Sequence, residues 1–188
     1  PSLLICNAGV SQRASAVSTE APTLHRLLAV NLESPMLMVS HLLRGAPDPQ
    51  VPRIVLVGSL ASLVPAPLRT SYAAAKHGLR GFARSLRAEG HAVTEVYPGF
   101  VRTPIGQGAV IGTGDSYGQD DPAQQAGRDP AAVAAQILHA CLRGKRIIRP
   151  ALGIRGRLAL VLAVVAPAIL DRILYRRFAS EAREQISP

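Results

Sequence analysis

The chain has 188 residues, of which 48% are hydrophobic, enough for one globular domain with a sizeable core. Two cysteines make no disulfide framework, the five histidines form no metal-ligand pair, and the absence of tryptophan argues against a stacking platform for nucleic acid. The formal charge of +9 is uneven: residues up to Leu142 carry 11 basic and 9 acidic groups, and residues from Arg143 onward carry 10 and 3. The basicity belongs to the tail, which points to an anionic partner there or to an arginine-rich proteome.

In chain order, Ser2 to Cys6 reads as an apolar strand followed by Asn7-Ala8-Gly9, where Gly9 permits a tight turn and close backbone approach. Ser18 to Gly45 is helical, with Leu24, Leu27, Leu28 and Leu32 at helical spacing and Asn31 among them. Ile54 to Val57 is an unbroken apolar run, the pattern of a strand buried on both faces. It ends at Gly58-Ser59, where a hydroxyl can leave the strand's carboxyl end. Pro65 and Pro67 break the next loop, and Thr70-Ser71 offers an N-cap for a helix beginning near Tyr72. That helix runs through Leu79, Phe82 and Leu86 to Glu89, and Gly90 can cap it.

Val93 to Tyr97 is the next predicted strand, leading into Pro98-Gly99-Phe100-Val101-Arg102-Thr103. Pro104 to Arg128 has no apolar period and suits a mobile substrate lid, with Asp120-Asp121 read as solvated loop residues. Asp129-Pro130 starts a helix over Ala131 to Leu142, Gly144 ends it, and Arg146 to Arg149 is a last short strand. These elements predict an α/β fold with a parallel sheet of about four strands, flanking helices and right-handed crossovers.

Tyr72 and Lys76 are four residues apart, so both lie on one helix face. A free phenol has a pKa of about 10, and an ammonium held close lowers it towards the range useful for acid–base work. Ser59 at the strand end could hold the oxygen of a carbonyl or alcohol. Ser59, then Tyr72 thirteen positions on, then Lys76 in Tyr-x-x-x-Lys, resembles the active site of the short-chain dehydrogenases/reductases.

That resemblance implies a Rossmann-like, doubly wound parallel sheet, with NAD or NADP as cofactor and an alcohol or ketone as substrate; the apolar surroundings of the lid suggest a hydrophobic one. It implies catalytic roles for Asn31, Ser59, Tyr72 and Lys76, with Asn31 kinking its helix and supporting a proton relay. It also implies cofactor contacts from Asn7, Ala8, Gly9, Tyr72, Lys76, Pro98, Gly99, Val101 and Thr103, although Cys6 stands where the family has asparagine. No metal is expected. No Gly-rich turn joins a strand to a helix: Gly106, Gly108, Gly112 and Gly114 lie in a polar loop. The chain is therefore expected to be the carboxyl-terminal part of such a protein, with residues 1–150 catalytic and 151–188 a basic, apolar helical tail.

The family commonly forms homo-oligomers, and a cytoplasmic location is expected. In the tail, Leu158 to Leu170 is almost wholly apolar, interrupted by Pro167 and flanked by Arg155, Arg157, Arg172, Arg176 and Arg177. This run is shorter than the roughly 20 residues needed to span a bilayer. Three readings stand: a wall of the substrate pocket, a dimer-packing helix, or a helix on an anionic membrane surface. A rival to the enzyme is a truncated, non-catalytic relative acting as an interaction or membrane-surface module.

Overall fold

The computed structural model describes residues 2–45, 52–119 and 121–184. Among them, β1 (Leu3–Cys6), β2 (Arg53–Val57), β3 (Val93–Val96) and β4 (Ile147–Ile148) form one parallel sheet in the order β1-β2-β3-β4. Cys6 pairs with Leu56, and Val57 with Val96. The carboxyl ends of three strands are thereby aligned, and the segments that follow them leave the sheet side by side.

The helices are α1 (Ala21–Leu28), continued through a π-helical turn (Ala29–Glu33) into α2 (Ser34–Gly45), then α3 (Thr70–Ala88), α4 (Pro122–Gln125), α5 (Pro130–Leu142), α6 (Ile154–Val165) and α7 (Pro167–Glu184). Alternation along the strands divides the core. Leu4, Cys6, Ile54, Leu56 and Val93 meet Val39 of α2 and Leu79, Ala83 and Leu86 of α3. Leu3, Val55, Val57, Val96 and Ile148 meet Ile137, Ala140 and Cys141 of α5. Helices cover both faces, the doubly wound arrangement expected from the sequence.

One expectation needs correction. The strands advance in one direction across the sheet, yet α2 and α3 cover one face and α5 the other. The crossover through α5 therefore has the opposite hand to the two before it. The usual handedness comes from a twisted strand feeding directly into its helix, and the long excursion between β3 and α5 removes that coupling.

Smaller differences have local causes. The first helix starts at Ala21 and not Ser18, because Ser15 and Ser18 close a turn through their own hydroxyls. The last strand shrinks to Ile147–Ile148, which pair with Glu95 and Val96 at the end of β3. The apolar tail is two helices, broken at Ala166 ahead of Pro167, where an interior proline would clash with the preceding turn. Asp121 is no plain solvated loop residue: it caps α4 through the Ala123 amide and pairs with Arg69 at 3.1 Å. Its neighbour Asp120 lies outside the described residues.

A buried charge was not expected. Glu95, in the middle of β3, is held between the Arg87 guanidinium of α3 and the Tyr97 hydroxyl. Pairing is what makes a carboxylate tolerable there.

Candidate active site

The site forms where β1 and β2 end against the first turns of α3. Ser59 closes β2 and caps a short 3-10 turn, Leu60–Ser62, accepting from the Ala61 amide at 3.2 Å while the Ser62 hydroxyl accepts from the Ser59 amide. The Ser59 hydroxyl also lies against the Tyr72 phenol, with which it hydrogen-bonds. On α3, Tyr72 and Lys76 are both buried. Lys76 Nζ donates to the Val57 carbonyl at 3.1 Å and lies 5.7 Å from the centre of the Tyr72 ring.

Asn31 completes the group from the other side. Its Nδ2 donates to the carbonyls of Leu27 (3.0 Å) and Val10 (2.9 Å), and its Oδ1 accepts from the Val10 amide at 3.3 Å. By taking the Leu27 carbonyl, the side chain competes with the helical ladder, and the chain widens there into the π-helical turn Ala29–Glu33. Such a bulge is the distortion anticipated for this asparagine. Gly9 lies between: a Cβ on it would stand 3.0 Å from Asn31 Oδ1 and 3.5 Å from Lys76 Nζ. The fold therefore brings Asn31, Ser59, Tyr72, Lys76 and Gly9 to one place.

Electrostatics differ from the sequence expectation. Burial pushes the Tyr72 phenol above its ordinary pKa, with the Ser59 hydroxyl and then the Arg69 guanidinium pulling the other way. Burial also lowers Lys76 to about 8. Lys76 would lose its charge before Tyr72 ionised, so it does not hold the phenol down in this arrangement. The reason is desolvation, which penalises both charged forms.

The other predicted contacts are placed less uniformly. Asn7 and Ala8 are exposed beyond the end of β1. The Pro98 carbonyl accepts from the Leu60 amide at 3.1 Å, beside Ser59, and the Gly99 amide donates to Pro150. A Cβ on Gly99 would lie 2.1 Å from the Ala151 carbonyl oxygen, so only glycine fits that crossing. Val101 and Thr103 are held by α4: Gln124 Nε2 donates to the Val101 carbonyl and, at 3.4 Å, to the Thr103 hydroxyl.

Two residues at the site escaped the sequence reading. Gln12 is fully buried, and its Oε1 accepts from the amides of Ser71 (2.9 Å) and Tyr72 (3.1 Å). It supplies the cap that Thr70-Ser71 was expected to supply, for α3 begins at Thr70 with Arg69 at the N-cap position and no local side-chain cap. Arg69, bridged to Asp121, ties the loop after Thr103 to the start of α3. Neither partnership has a local signal, since each joins segments more than 50 residues apart.

Fold and site together define an α/β protein of Rossmann type, built around a buried Tyr–Lys pair at the strand ends. The chain belongs to the short chain dehydrogenase family, which it matches over residues 2–111. It is 33% identical over 188 residues to "Dehydrogenase/reductase SDR family member 7B" of Danio rerio, covering 97% of this chain and 59% of that protein. The chain thus spans about three-fifths of the length of such curated relatives. Among solved structures, a short-chain dehydrogenase from Streptomyces avermitilis aligns with a TM-score of 0.66 at 24% identity, covering 99% of this chain and 70% of that one. A 4-hydroxyisoleucine dehydrogenase complexed with NADH and succinate aligns with a TM-score of 0.63 at 20% identity, covering 80% and 66%. At these identities the structures attest the fold.

Proposed function

We propose that this chain carries the catalytic half of an NAD- or NADP-dependent oxidoreductase that interconverts an alcohol and a ketone. The observation behind this reading is the convergence of Asn31, Ser59, Tyr72 and Lys76 at the ends of β1 and β2. In this reading residues 1–150 carry the chemistry, residues 151–188 form the helical tail, and the working protein is a cytoplasmic homo-oligomer.

The residues present fit the nicotinamide end of the cofactor. An ammonium has three N–H donors; the Val57 carbonyl takes one of Lys76, leaving two for ribose hydroxyls. Gly9 keeps the approach beside Lys76 open, and Asn7, Ala8, Pro98, Gly99, Val101 and Thr103 would supply further contacts around the same strand ends. When bound, the nicotinamide ring gives or takes the hydride at the substrate carbon.

Tyr72 handles the proton. Its raised pKa keeps it a phenol at neutral pH, ready to protonate the oxygen of a ketone as the carbon is reduced. In the alcohol direction Tyr72 takes the hydroxyl proton only once its own phenol proton has been given up, which the raised pKa moves to higher pH. The Ser59 O–H donates to the same oxygen and fixes its position. Asn31, bound to Val10, holds the helix so that protons can be relayed near Lys76.

Tyr72→Phe tests this. The expected result is a loss of roughly 100-fold or more in ketone-dependent oxidation of reduced nicotinamide cofactor, with an unchanged far-ultraviolet circular dichroism spectrum. Near-normal turnover in the variant would end the mechanism. Failure of the wild-type chain to bind either reduced cofactor in a fluorescence titration would favour the non-catalytic module instead.

A further inference from the structure

Helix α6 is apolar on all sides apart from Arg155, Gly156 and Arg157 near its start. A helix of that kind is ordinarily covered on every face, and this one is not. Its first turn packs on the body, where a Cβ on Gly156 would lie 3.4 Å from Leu60, the neighbour of Ser59. On the outward side, Ile154, Leu158, Val161 and Val165 recur at helical spacing in one stripe, with exposures of 85%, 57%, 55% and 70%. The next helix, α7, adds exposed Ile169 and Ile173.

The charge around this stripe is predominantly positive. Arg155 and Arg157 fall about 100° and 60° to either side of Ile154 on an ideal helix, and both are exposed. Between Ile154 and Ala179 there are five arginines and one acidic residue, Asp171. From Pro130 to Leu170 there is no acidic residue.

We propose that α6 and the start of α7 form a docking surface for an anionic lipid membrane, lying on the bilayer and not crossing it. An apolar stripe edged by arginines matches an interface whose hydrocarbon lies beneath negative headgroups. The 12-residue α6 is about 18 Å long, against a hydrocarbon core of about 30 Å. Among the described residues no helix is long and apolar enough to cross a membrane. A second copy of the chain is the poorer occupant, because a two-fold contact sets the same stripe, with the same arginines, against itself. The proposal does not depend on the hydride-transfer reading.

The test is co-sedimentation of the full chain with vesicles of phosphatidylcholine alone and of phosphatidylcholine mixed equally with phosphatidylglycerol. Binding is expected to the mixed vesicles and to fall with salt. The double variant Arg155→Gln/Arg157→Gln should weaken it roughly thirty-fold. The double variant Leu158→Glu/Val161→Glu should abolish it with circular dichroism unchanged, as expected for exposed positions. Equal binding to both vesicle types, or full binding by the glutamate variant, overturns the proposal. So does a glutamate variant that turns a dimer into a monomer in light scattering while still binding vesicles, which would mark the stripe as a contact between copies.

Discussion

An ammonium that is 3% exposed and hydrogen-bonded to the Val57 carbonyl titrates far from its free value. Lys76 falls from 10.5 to about 8 in the folded chain. Between those values the unfolded chain binds more protons than the folded one, so this group makes stability rise with pH across that window. Below about 8 the full cost of burying the charge is present; above 10.5 it is gone. Lys76→Met removes the titration. The stability gap between variant and wild type should shrink by up to about 3 kcal/mol between pH 7 and pH 10. Urea unfolding at the two pH values checks this, and a gap that stays constant would show that Lys76 titrates normally. Tyr72 carries the complementary lesson, for the same burial holds its proton on.

Helix α3 positions both residues, and what starts it lies elsewhere in the chain. Its first amides are satisfied by Gln12, whose own amide nitrogen donates to Thr19 at 2.9 Å. Gln12→Ala would leave two amides of the first turn without that acceptor, at a cost of about 1 to 3 kcal/mol in unfolding free energy, measured by urea denaturation. Gln12→Glu keeps the acceptor for the two amides but loses the donation to Thr19 and sets a charge in a fully buried position, so it should recover only part of the loss. Equal stability of all three proteins would mean that water caps the helix as well as Gln12 does. Spacing within α3 announced the Tyr72–Lys76 face, but nothing within α3 announced its cap. The π-helical turn is intermediate: Asn31 was singled out, while its tie to Val10 became visible only once β1 lay beside the helix.

At the scale of the molecule, stability rests on the two layers packed against the sheet and little on the outward stripe of the tail. Ile54 is completely buried beneath α2 and α3, whereas Val161 is 55% exposed. Ile54→Ala should cost about 2 to 5 kcal/mol, and Val161→Ala should change stability by no more than about 0.5 kcal/mol. Thermal melts of the two variants measure the contrast, and similar losses would show that α6 belongs to the folded core. Cys6 and Cys141 lie in opposite layers, and burial raises both thiols.

Local pattern was enough for the parallel α/β order, the strand at Ile54 to Val57, and the face shared by Tyr72 and Lys76, because burial on a sheet and periodicity on a helix are written in neighbouring residues. Long-range closure decided the rest. The hand of the third crossover depends on how a loop of some thirty residues returns to the sheet. The buried Glu95 depends on Arg87 arriving from α3, and the Gln12 cap on a partner 59 residues away. The pKa of Tyr72 follows from the depth at which the packed chain sets it. Hydrogen bonds and desolvation act through space, so residues far apart in sequence settled what neighbouring residues left open.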